Sequence, residues 1–212
     1  EVRARAAPVM EDAVILSSLI PFPPVSWWMN ARAASVVIWD SHEHFGKMSR
    51  RSRYRIATAS GAATLSIPLL GGRDQRTPTG LLRPDNRQPW QRTHWRTLTA
   101  AYRAAPYFEH YEDGLRLLYE TPVEWLRDFC TTSIHWLKAA LGTAFSETWV
   151  DLYHPTPPPG WTDARDEALR GNEAGMRFTP YTQPFADRHG FLPNLSALDM
   201  LLCAGPRALE GR

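Results

Sequence analysis

The sequence predicts an α/β fold, with a mixed α+β arrangement as the alternative: an N-terminal βαβ unit and a mixed sheet that includes a hairpin, followed by a mainly helical C-terminal half. Two short β-branched runs flank a helical segment within the first forty residues. Two alternating runs around a glycine-containing turn follow, and apolar stripes with helical spacing dominate after residue 90. The 212 residues, 43% of them hydrophobic, suffice for one domain. We place it at residues 13–206, between an extension or disordered segment at 1–12 and a tail at 207–212.

Strand, helix and strand follow one another in the first forty residues, as in a βαβ unit with a right-handed crossover. Residues 13–18 are an apolar run bounded by prolines, and residues 35–40 are a second, β-branched run. Pro24 suits the first position of a helix at residues 25–34. Because open α/β sheets bind ligands beyond the carboxyl ends of their strands, Asp40 at the end of the second strand is a candidate site residue.

A hairpin and a long loop make up the next fifty residues. Residues 53–59 and 63–69 alternate as strands do, and the Ser-Gly-Ala sequence at 60–62 predicts the turn between them. Residues 41–52 are polar and charged, and residues 71–89 are rich in Gly, Pro, Asp and Asn, so both are predicted to be loops. Loops as long as the second are usually functional or mobile.

Helices dominate the remaining chain. The clearest begins at Thr121, an N-cap with Glu124 three residues later, and ends at Gly142. Ser196 and Asp199 form a second capping box. The other predicted elements are helices at residues 91–105, 108–119 and 197–204, a loop at 151–159 and a short helix at 160–175.

Composition and motifs exclude several classes of protein. No apolar run approaches the ~20 residues that cross a bilayer, so we predict no membrane span. Cys130 and Cys203 cannot form a disulfide framework, and we interpret them as reduced core thiols of a cytoplasmic protein. The sequence lacks the P-loop, GxGxxG, GxSxG and HExxH motifs, which removes the commonest ATPase, dinucleotide, hydrolase and zinc-protease interpretations.

Basic residues are concentrated in the middle quarter of the chain. Residues 47–103 contain twelve basic and two acidic side chains, whereas the whole chain has a net charge of +2. Of the 24 basic residues, 22 are arginines, which bind phosphate and carboxylate groups in a planar, bidentate way. The block is either an anion site or a solvated face paired with the acidic C-terminal half.

The densest cationic group runs from Lys47 to Arg55. If residues 53–59 form a strand, Arg53 and Arg55 lie on the same face of it. Two guanidinium groups on one face are costly to bury without an anion, and a phosphate, a sugar nucleotide or a carboxylate would offset that cost. The alternative is an edge strand with a charged outer face.

His94 is the candidate general base. It lies in the first turn of the helix at residues 91–105, where the helix dipole favours the neutral imidazole that a base needs; a capping or packing histidine is the alternative. His42 and His44 point the same way on an extended segment, so they are weak candidate metal ligands, and a zinc site would need a third. We predict no cofactor.

Several segments together resemble the WbqC-like protein family. The order and spacing of these segments, from about residue 15 to residue 206, carry the resemblance rather than any single segment. They are Pro23-Pro24-Val25-Ser26; His42-Glu43-His44-Phe45-Gly46-Lys47 leading to Arg53 and Arg55; Leu65-Ser66-Ile67-Pro68-Leu69; Trp90, His94, Tyr102 and Ala105-Pro106-Tyr107-Phe108; Tyr181-Thr182-Gln183-Pro184-Phe185; and Gly190 to Asp199.

The resemblance implies a cytoplasmic role in making or modifying activated sugars, because the family is associated with gene clusters for O-antigen and surface polysaccharides. Longer members of the family tend to carry glutamine in place of His44, which argues against a required metal ligand. The site positions that the resemblance implies are Lys47, Arg53, Arg55, His94, Tyr107, Gln183, Asn194 and Asp199.

These observations leave three hypotheses. The first is a transferase that acts on a phosphate-bearing or nucleotide-linked sugar. The second is a non-enzymatic module that binds an anionic glycan or nucleic acid, with Trp90 and Trp95 stacking on bases. The third is a metal hydrolase that uses His42 and His44. In the transferase, Lys47, Arg53 and Arg55 would hold the diphosphate, and His94 would be the general base. Asp40 would orient the acceptor or His94. Gln183 and Asn194 would bind the sugar hydroxyls.

Overall fold

The computed structural model describes residues 13–44, 50–71, 76–165 and 176–210. It confirms the predicted α/β class: a parallel sheet, an antiparallel hairpin and helices that lie mostly in the C-terminal half. The hairpin forms a two-stranded sheet of its own rather than joining the parallel one. The segment at 1–12, predicted to be an extension or disordered, lies outside the described residues.

The parallel sheet has four strands in the order β5-β2-β1-β6. The predicted βαβ unit supplies β1 (Val14–Ser18), α1 (Val25–Ala31) and β2 (Val36–Asp40). The other two strands, β5 (Ser146–Trp149) and β6 (Trp161–Asp163), come from the C-terminal half. Neither was predicted, and the helix predicted to start at residue 160 is wrong at β6; residues 166–175 lie outside the described part of the chain.

The first turn of α1 is anchored by the C-terminal part of the chain. Pro24 is the N-cap of α1 and not its first residue as predicted. The backbone N–H of Val25 donates to the carbonyl of Leu195, and that of Ser26 donates to Oδ1 of Asn194. These two bonds satisfy N–H groups that a helix leaves unpaired at its start, so the C-terminal segment fixes the position of α1.

The hairpin consists of β3 (Arg53–Thr58) and β4 (Gly61–Ser66). Its turn is two residues long, at 59–60, and is thus shorter than the predicted turn at 60–62. Gly61 has a φ of 97°, which glycine adopts without strain. Tyr54 and Ile56 on one face of β3 are buried.

Three long helices follow: α2 (Trp90–Tyr102), α3 (Phe108–Glu120) and α4 (Leu126–Ala140). The last begins four residues later than its capping box predicts, with Trp125 rather than Thr121 as the N-cap. Two hydrogen bonds explain the delay, since Asn86 donates to the carbonyl of Val123 and the N–H of Leu126 donates to the carbonyl of Leu82. The preceding loop therefore keeps residues 121–125 out of the helix.

Two short helices complete the described part of the fold, α5 (Ala186–His189) and α6 (Ala197–Ala204). Ser196 caps α6 as predicted, because its hydroxyl accepts from the N–H of Leu198. Helix α6 is buried along almost its whole length and packs on α1, α3, α4 and β3. Within the tail predicted at 207–212, Leu209 packs into the core and its carbonyl accepts from Arg32.

Both cysteines, Cys130 and Cys203, are free and buried. None of the helices in the described part of the chain is both long and apolar enough to pass through a lipid bilayer.

Candidate functional site

A cavity of about 480 Å³ lies between the hairpin and the first turns of α2. We call it the His94 cavity. One wall comes from β3, from β4 and from the residues that follow β4; the other comes from the start of α2. The lining residues are Ser52, Arg53, Ser66, Ile67, Pro68, Leu69, Gln88, Pro89, Trp90, Thr93 and His94.

Arg53 and Arg55 lie on the face of β3 opposite to Tyr54 and Ile56, as the alternation of the strand requires. Both arginines are half-buried, and neither forms an ion pair with a carboxylate among the described residues. Arg53 lines the His94 cavity and also a narrow crevice next to it. We call this the arginine crevice; its lining includes Arg50, Arg53, Arg55, Asn194 and Ser196.

Arg51 has a different role from its neighbours. It is buried and pairs with the buried carboxylate of Glu43, with 2.8 Å between Nη2 and Oε2. Burial raises the pKa of Glu43, and the charge of Arg51 opposes that rise. Arg51 therefore neutralises a buried acid, whereas no described carboxylate neutralises the positive charges of Arg53 and Arg55. Lys47, the remaining predicted cation, lies outside the described residues.

The hydrogen bonds of His94 define its tautomer. Its Nε2 is 3.2 Å from the carbonyl oxygen of Ser66, which can only accept, so Nε2 carries the proton. Its Nδ1 then accepts from the hydroxyl of Tyr54 at 3.1 Å, and the hydroxyl of Tyr119 donates to that of Tyr54 at 2.7 Å. The lone pair that a general base needs is therefore bonded to Tyr54.

Burial makes His94 neutral. The side chain is buried, and burial lowers its pKa to about 4 while the bond to the Ser66 carbonyl opposes the shift. The neutral form was predicted, but the predicted cause was the helix dipole. His94 is the fifth residue of α2 and not in its first turn, so the cause is removal from water.

We expect the pH dependence of stability to report this burial. The folded state binds a proton on His94 less tightly than the unfolded chain, whose histidine titrates near 6.5. The contribution of neutral His94 to the free energy of unfolding is therefore complete above pH 6.5, and it is lost as the pH falls towards 4. The loss should be about 3 kcal/mol, measured by urea unfolding between pH 7 and pH 4.

Other groups titrate in the same range, so the measurement needs a matched variant. His94→Gln keeps an amide that can bond the Ser66 carbonyl and removes the titration. The difference in unfolding free energy between the wild type and His94→Gln should shrink as the pH falls. A difference that stays constant from pH 7 to pH 4 would show that His94 titrates normally in the folded protein.

Asp40 is committed to an internal ion pair. Its Oδ1 accepts from the N–H groups of His42 and Glu43, and its Oδ2 accepts from Nη1 of Arg165 at 3.0 Å. Arg165 also holds Asp163 at the end of β6 through two bonds, of 2.9 and 2.7 Å. The arginine thus joins the carboxyl ends of β2 and β6, and Asp40 is not among the residues that line the His94 cavity.

Gln183 and Asp199 meet in one buried network. Asp199 accepts from the hydroxyls of Tyr102 and Tyr181 at 2.6 and 2.7 Å, and from Nε2 of Gln183 at 2.8 Å. Burial raises the pKa of the Asp199 carboxyl. Both polar groups of Gln183 also bond the backbone of Leu192. The network links α6 to α2. The predicted role of Gln183 in binding sugar hydroxyls stays a prediction.

Asn194 and Tyr107 occupy two further places. Asn194 holds α1 through Ser26 and lines the arginine crevice. The ring of Tyr107, 37% exposed, lies flat on Gly205, where an added Cβ would come within 2.5 Å of the ring. Tyr107 is therefore away from the His94 cavity, whose lining does not include it.

His42 and His44 differ in their surroundings. His44 pairs with Pro78 in an isolated β-bridge, and His42 lines a different pocket, beyond β2. Among the residues that the structure describes, no three His, Cys, Asp or Glu side chains are placed to hold a metal ion. The described residues thus offer these histidines no third ligand.

The sequence did not identify the two tyrosines behind His94. Tyr54 alternates with Arg53 and Arg55, so the strand pattern placed it on the inward face. Tyr119 lies 65 residues further along the chain, and only the packing of α3 brings it to Tyr54. Sequence spacing carries no signal for such a contact.

The model of the WbqC-like protein family matches residues 21–152. The matched segment contains β3, β4 and α2, and with them all the described residues that line the His94 cavity. No curated protein and no solved structure matches the chain.

Proposed function

Since the chain belongs to the WbqC-like protein family, we propose that it is a transferase that acts on a phosphate-bearing or nucleotide-linked sugar in the synthesis of surface polysaccharides. One observation carries the proposal: Arg53, without a carboxylate partner among the described residues, borders both a cavity and a crevice that holds two more arginines. A doubly charged diphosphate is the kind of ligand that such a group of guanidinium side chains binds.

The His94 cavity, of about 480 Å³, is the space that would hold such a substrate. The arginine crevice has a volume of only about 10 Å³, too little for a phosphate group, so the phosphates would lie in the cavity beside Arg53, with Arg55 in the adjoining crevice. The remainder would lie against the apolar wall of Ile67, Pro68 and Leu69 and the polar groups around it. Holding the donor in this way supplies positioning and charge stabilisation, which are the main contributions to catalysis in group transfer from phosphates.

The catalytic roles of His94 and Asp40 stay predictions. For His94 to act as a base, its Nδ1 must release the Tyr54 hydroxyl, or the proton must pass to it through Tyr54. In its present tautomer His94 holds β4 through the Ser66 carbonyl. His94 thus fixes the shape of the cavity whether or not it takes a proton from the acceptor.

Binding of nucleic acid would require accessible aromatic side chains. Trp90 is buried, with its ring against His94 and Phe129. Trp95 packs on Phe108 with ring centroids 6.2 Å apart. We therefore favour a small anionic substrate over a stretch of nucleic acid.

The test is calorimetric titration with UDP-glucose, dTDP-glucose, UDP and inorganic pyrophosphate. We expect the wild type to bind at least one of these probes. Arg53→Ala should lower the affinity about tenfold or more, because it removes a charge-assisted hydrogen bond worth about 1.5–3 kcal/mol. Arg55→Ala should lower the affinity to a smaller extent, because it removes a positive charge next to the cavity. The control is Arg92→Ala, an exposed arginine on α2, which should bind as the wild type does.

Two results would overturn the proposal. One is that none of the four probes binds. The other is that the double variant of Arg53 and Arg55 binds them as well as the wild type, with its circular dichroism and melting unchanged. Tight binding of single-stranded DNA with a steep loss on added salt would favour the nucleic-acid hypothesis instead.

A further inference from the structure

A second pocket, of about 640 Å³, opens beyond the carboxyl ends of β2 and β5. We call it the Trp149 pocket. Among the described residues its lining has none in common with the His94 cavity. The carboxyl ends of parallel strands are the usual place for ligands in α/β folds. The lining consists of Ser41, His42, Arg127, Asp128, Thr131, Thr132, Trp149 and Val150.

Trp149 is the outstanding side chain in this pocket. It is 42% exposed, while the other eight tryptophans of the chain are buried or half-buried. It is the last residue of the edge strand β5 and lies in register with Trp39 of β2, which is buried. An exposed tryptophan within a concave pocket leaves a large apolar ring in contact with water, and a ligand that covers the ring would remove that cost.

The charges of the Trp149 pocket are matched, unlike those of the arginine crevice. Arg127 and Asp128 lie side by side at the start of α4, with 3.5 Å between Nε and Oδ1. Each keeps further donor or acceptor capacity, because both side chains remain about half exposed. An anion or a cation would meet one attractive and one repulsive partner here, so the pocket favours a neutral ligand.

Hydroxyl groups complete the lining. Thr132 donates to the carbonyl of Asp128 at 2.8 Å, which leaves the lone pairs of its oxygen able to accept. Thr131 on the same helix and Ser41 after β2 add two more hydroxyls. The pocket thus combines one apolar face with donors and acceptors around it.

We propose that the Trp149 pocket binds a neutral saccharide, with the C–H face of one pyranose ring on Trp149 and the ring hydroxyls bonded to Arg127, Asp128 and the hydroxyl side chains. A pyranose is uncharged, has an apolar face and carries donors and acceptors around its rim, which is what the exposed ring, the matched charges and the hydroxyl lining require. The inference does not rest on the proposed function, because the two sites are separate.

The test is ligand-observed NMR titration with methyl glycosides of glucose, galactose, mannose and N-acetylglucosamine, and with maltose and lactose. We expect at least one of them to bind the wild type. Trp149→Ala should weaken that binding about tenfold or more, and Trp149→Phe, which keeps an aromatic face, should retain most of it. Since Trp149 is exposed, we expect both variants to fold, as circular dichroism would check.

Two control variants show whether sugar binding belongs to the Trp149 pocket. Leu152 is 71% exposed and lies outside the pocket lining, so Leu152→Ala should bind the sugar normally. Arg53→Ala should also bind it normally, whatever the outcome for nucleotide sugars. The proposal is overturned if no saccharide of the panel binds, if Trp149→Ala binds as the wild type does, or if Trp149 and Leu152 prove to be covered together by a second copy of the chain in solution.

Discussion

Arg165→Ala is expected to destabilise the protein by about 3–5 kcal/mol, the range for removing one partner of a buried ion pair. Asp40 is completely buried, and without the guanidinium its Oδ2 loses its described charged partner. Asp163 loses a bidentate partner in the same step, and the carbonyl of His154 loses a donor at 2.7 Å. Urea unfolding at pH 7, compared with the wild type, measures the loss.

A second substitution distinguishes the buried charge from lost packing. In Arg165→Ala/Asp40→Asn the uncompensated carboxylate is gone, so the double variant should be less destabilised than the sum of the two single variants. Arg207→Ala, an exposed arginine near the C-terminal end of the described residues, serves as the control and should unfold like the wild type. A loss below about 1 kcal/mol for Arg165→Ala would contradict the role that we assign to the ion pair.

Asp199→Ala should have an effect of similar size, about 3–5 kcal/mol. The substitution removes the acceptor of three donors in the core: the hydroxyls of Tyr102 and Tyr181 and one N–H of the Gln183 amide, whose other bond to the Leu192 carbonyl remains. A buried polar group left unpaired costs about 1–3 kcal/mol. The Tyr102 hydroxyl also accepts from the N–H of Ala57, so the substitution should also disturb β3, the strand that carries Arg53 and Arg55.

Denaturant unfolding of Asp199→Ala and of Asp199→Asn tests this network. The asparagine variant keeps the shape and one acceptor, so it should lose less stability than the alanine variant. Asp187→Ala on α5, where the aspartate is exposed, is the matched control. If Asp199→Ala and Asp187→Ala unfold at the same denaturant concentration, Asp199 does not organise the core.

Local patterns in the sequence were sufficient to predict the elements with a strong signal of their own. The β-branched runs indicated β1 and β2, and alternation indicated the hairpin. The Ser196 capping box located the start of α6, because a cap is made by residues that are neighbours in the chain. The capping box at Thr121 failed for the opposite reason, since distant groups at residues 82–86 bind that segment more favourably.

The short strands β5 and β6 could not be predicted in this way. They have only four and three residues, and all of these residues are exposed or half-buried, so neither strand shows a buried apolar pattern. They are strands because β1 and β2 offer them unpaired backbone edges. The order of the strands in the sheet thus depends on hydrogen bonding between segments that are distant in the sequence, not on the β-propensity of each segment.

In the candidate site, too, local sequence patterns determined some features and tertiary packing determined the others. By itself the sequence determined that Arg53 and Arg55 share one strand face and that His94 lies on a helix, because strand and helix periods fix direction locally. The tertiary structure decided what surrounds them: it placed Arg53 beside His94 in one cavity, bonded the imidazole to Tyr54, and turned Asp40 and Asp199 towards internal partners. Those contacts join residues 40 to 125 positions apart, and only the packing of the whole core determines which distant groups meet.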